Sequence, residues 1–234
     1  TRSPRGRRST KGTGWRQMDY YLVSAVQLLY LVEYADFDSQ SMIGDGRTTP
    51  SGGDWEAGSY IGIAGLSNGD GNGTNAVQGG SLGDTDYMSY RGVENFLGNV
   101  WGFADGINVH NYDDDAGTSY SKAWACNTDA DFADDTATNY TEITDSLATA
   151  DGYIDTLNQI ADGFLPASAS GSSSTFLCDY YYTYYDNLTP AFDGWRVVRL
   201  GGCASDGVLA GVFFVYAGSG SSAGTVSVGA RLSY

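Results

Sequence analysis

Between residues 15 and 34, apolar side chains recur at intervals of three and four: Met18, Leu22, Ala25, Val26, Leu29 and Val32. That period lays a stripe along one side of a helix and predicts a helix over 15–34. Thr13 stands where a cap is expected, and Asp19 lies early, where the helix dipole favours an acid. A weaker stripe of Leu147, Ile154, Leu157 and Ile160 predicts a second helix over 144–160, interrupted by Gly152. Elsewhere, short apolar runs between turn residues predict strands over 60–66, 100–109, 195–200, 212–216 and 226–232. Gly102 and Gly106 predict bends in the second of these. In the run 212–216, alternation places Val212, Phe214 and Tyr216 on one face and Phe213 and Val215 on the other. Residues 179–186, DYYYTYYD, read as another strand with alternate tyrosines inward. Residues 67–74 and 168–174 are turn-rich loops, the latter opened by Pro166. Together these elements predict an α+β protein of helices with short antiparallel strands and long loops.

Composition narrows the reading. The chain has 234 residues, 41% of them hydrophobic and 14% aromatic, with 33 glycines. That is enough ring and aliphatic surface for a core, with many turns. The formal charge is -16. All of Arg2, Arg5, Arg7, Arg8, Lys11 and Arg16 fall in the first sixteen residues, which contain no acid. Residues 1–13 therefore read as a disordered basic linker, and 14–234 as one acidic domain that repels nucleic acid. No run of eighteen apolar residues is present, so no membrane insertion through a helix is expected.

Candidate chemistry is sparse. His110 is the only histidine, so a Ser or Cys nucleophile has few bases to draw on. Cys126, Cys178 and Cys203 form no zinc pattern and read as unpaired. No phosphate loop, GxSxG elbow or dinucleotide fingerprint occurs. Oxygen ligands for a structural calcium are offered by Asn68, Asp70 and Asn72, by Asp113, Asp114 and Asp115, and by Asp134 and Asp135, but a solvated acidic loop or turn is the favoured reading of each, and no cofactor is expected. Asn72, Asn139 and Asn187 open glycosylation triplets. The tyrosines carry the strongest functional hint, because recognition surfaces favour a large, stiff side chain with a hydroxyl tip.

Three segments resemble a known family. Residues 194–234, GWRVVRLGGCASDGVLAGVFFVYAGSGSSAGTVSVGARLSY, resemble the C-terminal variable region of C-type-lectin-fold proteins diversified by retroelements. The shared frame is Gly194-Trp195-Arg196, Gly201-Gly202, Gly207, Ala210-Gly211, Phe213, Ser221-Ser222 and Gly229-Ala230-Arg231-Leu232. Residues 90–108, YRGVENFLGNVWGFADGIN, and 14–44 are similar to phage and prophage tail proteins of that fold. GNVW, at 98–101, also resembles formylglycine-generating enzymes.

The resemblance implies a C-type lectin fold, a variable region at about 180–230, and a non-enzymatic role in binding a protein or glycan ligand on a host or neighbouring cell surface. It implies a place on a virion surface or tail fibre, or alternatively a cell surface. In this family, template codons of the type AAY, with adenines randomised and the final pyrimidine kept, cannot produce Lys, Glu, Gln, Met or Trp, and 201–230 contains none of the five. The positions implied to vary and contact ligand are Tyr182, Tyr184, Tyr185, Cys203, Ser205, Asp206, Val208, Leu209, Phe214, Tyr216, Gly218, Ser219, Ala223, Thr225 and Ser227. A fixed scaffold of Trp15, Trp101, Trp195 and Phe213 is expected inside. The copper-site cysteine pair of formylglycine-generating enzymes and the EPN, QPD and WND calcium motifs of sugar-binding lectins do not occur, so the resemblance carries neither chemistry. The alternatives are an enzyme of the formylglycine-generating type and a structural viral tail or decoration protein.

Overall fold

A computed structural model describes residues 15–48, 73–76, 86–113, 119–160, 162–183, 193–225 and 227–233. The chain opens with β1 (Arg16–Gln17), α1 (Tyr20–Tyr34) and α2 (Ser39–Ile43). A small antiparallel sheet follows, made of β2 (Gly73–Ala76), β3 (Asp86–Tyr90) and β4 (Val93–Glu94). Next come β5 (Trp101–Asp113), β6 (Ser119–Ala125), β7 (Thr141–Thr144) and β8 (Gly152–Tyr153). The hairpin of β9 (Thr156–Ile160) and β10 (Gly163–Ser168) precedes β11 (Tyr180–Tyr182). Last are β12 (Gly194–Leu200), β13 (Val215–Ser219), β14 (Val228–Gly229) and β15 (Leu232–Ser233). The main sheet has eight strands in the order β7-β6-β5-β12-β13-β11-β8, with β14 joined to β5. Within it, β11–β13 and β14–β5 are parallel and the other pairs antiparallel. β1 pairs with β15, so the two ends of the described chain meet. The architecture is mixed α and β, with strands predominating.

Helix α1 starts later than its stripe predicts. Residues 16–17 are taken by β1, and Asp19, in an extended conformation, becomes the N-cap by accepting the Leu22 N–H at 2.8 Å. Thr13 lies outside the described residues. The buried side is also not the predicted one. Tyr20, Val23, Ser24, Val26, Gln27 and Tyr30 face inward, while Leu22, Ala25, Leu29 and Val32 are exposed. Two features select that side. Gln27 donates to the Val212 carbonyl at 2.9 Å, and the Tyr30 ring packs edge-on against Tyr90 and Phe213. Gly163 meets the same side so closely that a Cβ there would lie 2.2 Å from the Ser24 hydroxyl. A polar contact and ring packing thus override an aliphatic period.

The predicted helix over 144–160 does not form. The segment instead supplies the end of β7, then β8 and β9. At Gly152 a Cβ would stand 2.0 Å from the Ala169 carbonyl, so the glycine admits a backbone contact instead of interrupting a helix. Leu147 and Ile154 are buried from two separate connections between strands, which explains their misleading spacing. The strand expected over 212–216 begins only at Val215, because Val212–Phe214 form a turn. The stretch 226–232 divides into β14 and β15. Helix α2 and strands β2, β3, β4, β6, β7 and β10 lie where the sequence predicts no helix or strand, apart from the last residue of β7, and the strand expected at 60–66 lies outside the described residues.

Alternation is regular along β6. On β6, Ser121, Ala123 and Ala125 are buried while Tyr120, Lys122 and Trp124 are half-buried. Residues paired across strands share a face, so the register carries this division over to Ile107, Val109 and Asn111 on the buried side of β5. Val198, Leu200, Val215, Ala217 and Tyr181 continue the inner face, which packs with α1 into one core.

Candidate ligand-binding face

The outer face of the main sheet is built largely of aromatic rings. From its β8 edge, Tyr153 contacts Tyr180 at 5.1 Å between ring centres, and Tyr180 contacts Tyr182 at 4.5 Å. Tyr182 meets Tyr216 at 5.6 Å and Phe214 at 6.0 Å, and Tyr216 meets Trp101 at 5.4 Å. Register explains the row, since Tyr182 pairs with Tyr216, Tyr216 with Arg199, and Arg199 with Phe103. Beyond it, on β12, β5 and β6, a second group holds Trp195 and His110 at 4.6 Å, Trp195 and Trp124 at 5.1 Å, and Tyr112 and Tyr120 at 5.1 Å. Burial lowers the pKa of His110, partly offset by Asp193, so a neutral imidazole is favoured near pH 7.

Arg199 lies at the centre of the first group. Its guanidinium sits 5.0 Å from the Tyr216 ring centre, 5.1 Å from Phe103 and 5.8 Å from Trp101. The residue is only 3% exposed. Among the described residues no carboxylate lies within ion-pair distance of it. Its Nε has no hydrogen-bond acceptor, and Nη2 donates a long bond of 3.4 Å to the Ala223 carbonyl. Burial lowers its pKa. Each ring contact contributes about 0.5–2 kcal/mol, set against a desolvation cost of several kcal/mol for a buried ion.

The positions singled out from the sequence fall into four places. Tyr182, Phe214, Tyr216 and Ser219 share the first aromatic row, with the Tyr216 hydroxyl 3.1 Å from the Ser219 hydroxyl. Gly218 lies beside them in β13. Cys203, Ser205 and Asp206 form a tight turn, in which one Asp206 carboxylate oxygen accepts both the Cys203 N–H and the Trp101 indole N–H at 2.7 Å. Val208 and Leu209 sit on a 3-10 turn, with Val208 59% exposed and Leu209 half-buried. Ala223, Thr225 and Ser227 belong to the loop that passes Arg199, and the Thr225 and Ser227 hydroxyls are 2.6 Å apart. Tyr184 and Tyr185 lie outside the described residues.

Three of these positions are not surface groups. Cys203 and Phe214 are fully buried, and Ser227 nearly so. Burial beside Asp206 pushes the Cys203 thiol up to about 12. A buried cysteine does not display itself as an exposed varied residue would, although its turn does reach the surface. The expected interior tryptophans also differ. Trp15 is exposed, Trp101 and Trp195 are half-buried on the outer face, and only Phe213 is inside. Sequence reading passed over Arg199, Phe103 and Tyr153, and placed Trp101 in the core. The alternation on β12, with Trp195, Val197 and Arg199 at every second position, was the available signal.

The turn that carries these side chains is held from outside itself. Gln40 donates to the Gly207 and Ala210 carbonyls, and Gln27 to the Val212 carbonyl. The Ser39 hydroxyl accepts the Val212 N–H at 3.0 Å, and the Asp179 carboxyl accepts the Phe213 N–H at 2.7 Å. Gly207 N–H reaches the Thr48 carbonyl at 2.8 Å, and Ala204 N–H the Asn99 carbonyl at 3.0 Å. Gly211 packs so tightly on Asp179 that a Cβ would fall 2.0 Å from its carboxylate. Asp206 is the exception, since its own side chain binds the turn.

Cys126, Cys178 and Cys203 are buried and unpaired. Among the described residues no group of three or more His, Cys, Asp or Glu side chains stands ready to hold a metal ion. Asn68, Asp70, Asn72, Asp114 and Asp115 lie outside those residues, as do Asn72 and Asn187 of the glycosylation triplets. Asn139 is described and donates to Asp131 at 3.0 Å. No helix among the described residues is long and apolar enough to cross a membrane.

The fold and this face define a mixed α and β protein with an aromatic sheet surface beside a firmly anchored turn. No protein-family model matches the chain, and no curated protein matches it.

Proposed function

We propose that the chain is a non-enzymatic, variable ligand-binding protein with a C-type lectin fold, whose C-terminal surface residues are diversified by a retroelement. In this reading the ligand is a protein or glycan on a host or neighbouring cell, and the protein is displayed on a virion surface or tail fibre. The observation that supports it best is the anchoring of the 204–213 backbone by Gln27, Ser39, Gln40, Asp179 and the Thr48 and Asn99 carbonyls. None of these is among the positions proposed to vary. A surface that must accept many side chains needs a backbone that does not depend on them, as in an antibody paratope. The residues carried on this frame then include Val208, an exposed aliphatic group on a surface turn. Such a group has no evident role in folding and suits a contact surface.

The test is to sequence the DNA around the gene. The expected result is a near-copy of the segment encoding 195–234 that differs only at adenines, close to a reverse-transcriptase gene. Identical C-terminal codons across many isolates, with no such copy, would overturn the reading.

A further inference from the structure

We propose that Arg199 is the anion-binding centre of the outer face, and that the group it takes is the carboxylate of an acidic sugar. This rests on the ligand-binding reading above and narrows it to one chemistry.

Arg199 is a guanidinium almost wholly removed from water, with an idle Nε donor and no carboxylate in ion-pair distance among the described residues. Its Nη2 has one long bond, to a backbone carbonyl. A guanidinium offers five donors in a flat fork shaped for a carboxylate. Here Nε has no acceptor and Nη2 has only the long bond, and an arriving carboxylate satisfies both at once. The Ala223 carbonyl, at 3.4 Å, is a weak competitor. It belongs to the turn from Gly220, whose Ser222, Gly224 and Thr225 are exposed, so the cover over Arg199 is thin.

The surroundings select what carries the carboxylate. Trp101 and Tyr216 flank the guanidinium with apolar ring surface suited to the C–H face of a pyranose. Hydroxyls of Ser219 and Thr225 lie at the rim, where sugar hydroxyls need partners. A polyacidic peptide fits poorly, because the chain bears a formal charge of -16 and this site supplies one cation. A saccharide that brings a single carboxylate to the site meets one cation with one anion.

The full chain is titrated with sodium glucuronate, glucuronamide, glucose and the dipeptide Glu-Glu, following tryptophan fluorescence. Glucuronate is expected to give a saturable change, with at least tenfold weaker binding of glucuronamide and glucose. Glucuronamide keeps the shape and removes the charge, so this arm needs no variant. Arg199→Met is expected to lower glucuronate affinity at least tenfold, and Arg199→Lys to lower it less. Equal binding of glucuronate and glucuronamide, an undiminished Arg199→Met, or tighter binding of Glu-Glu would each overturn the proposal. So would the absence of any saturable response to glucuronate. The genomic test is independent of all these arms. A near-copy found alongside a failed titration removes the acidic sugar and leaves the variable-protein reading standing.

Discussion

The two faces of the main sheet share the same strands and have opposite compositions. The inner face presents Ile107, Val109, Ala123, Val198, Leu200 and Val215, closed under α1. The outer face presents Trp101, Phe103, His110, Tyr120, Trp124, Trp195 and Tyr216 around Arg199 and Lys122, each ring in contact with another ring or with one of the two cations. Aliphatic groups fill an enclosed volume without needing polar partners. Tyrosine and tryptophan suit a boundary, because each has an apolar body and a polar tip. The contrast separates residues that make the fold from residues that the fold makes available.

Adjacent tyrosines on β11 give the sharpest way to break that contrast. Tyr181 is fully buried on the inner face, and Tyr182 is half-buried on the outer one. Tyr181→Ala is expected to cost about 3–5 kcal/mol, as for other buried aromatics. Tyr182→Ala should cost roughly 1 kcal/mol, since it loses only ring contacts on a half-open surface. Urea denaturation of both variants measures the difference. Equal losses would mean that the outer face is as structural as the inner one.

The next largest effect concerns the frame of the turn. Gly211→Ala forces a methyl group into Asp179 and is expected to cost up to about 3 kcal/mol, measured by the same method. If it proves neutral, the turn has slack and its anchoring by Asp179 is not tight.

Asp179 also offers a pH test. The carboxyl is fully buried, with no cation in ion-pair distance among the described residues, and burial, with a further push from Asp38, raises its pKa well above the usual carboxylate range. The folded state therefore keeps the proton at pH values where the unfolded chain, with a pKa near ~3.9, has lost it. Stability from this group is present below the unfolded pKa and is lost as pH rises toward the folded one. His110 works oppositely: its folded pKa is lowered, so its contribution is lost as pH falls through the unfolded value of about 6.5. Comparing wild type with Asp179→Asn isolates the first effect. The stability of wild type minus that of the variant is expected to fall as pH rises above the unfolded-state value of about 3.9. A flat difference in paired denaturation curves would show that Asp179 ionises normally.

These contrasts also mark what the sequence made legible. Short apolar runs announced β12 almost to its ends but only the first nine residues of β5, whose last four, His110 to Asp113, are polar or aromatic and lay beyond the expected strand. Helix α1 was legible as a helix but not in orientation. Its sequence carries an aliphatic stripe and a second stripe of Tyr20, Val23, Gln27 and Tyr30, and the choice depends on Val212, Phe213 and Gly163, distant in sequence. The stretch 144–160 misled because four apolar residues fell near helical spacing although Leu147 and Ile154 lie in separate connections and Leu157 and Ile160 in β9. At the candidate site, Tyr182 and Tyr216 were recognisable from composition and pattern. Arg199 was not, since only the register that sets it between Phe103 and Tyr216 shows that its charge is enclosed.

The smallest expected effect is the most informative about display. Val208 is exposed on the 3-10 turn, while the backbone around it is held by Gln40 and by the Thr48 carbonyl. Its side chain contributes neither to a cap nor to the buried core. Val208→Ser should therefore change stability by no more than about 0.5 kcal/mol. Val208→Asp should stay within the same range, because a charge on an exposed turn remains hydrated. Both are checked by denaturation alongside Tyr181→Ala. A loss above about 2 kcal/mol at this position would show that the turn depends on its own side chains. That would remove the main structural support for a surface built to vary.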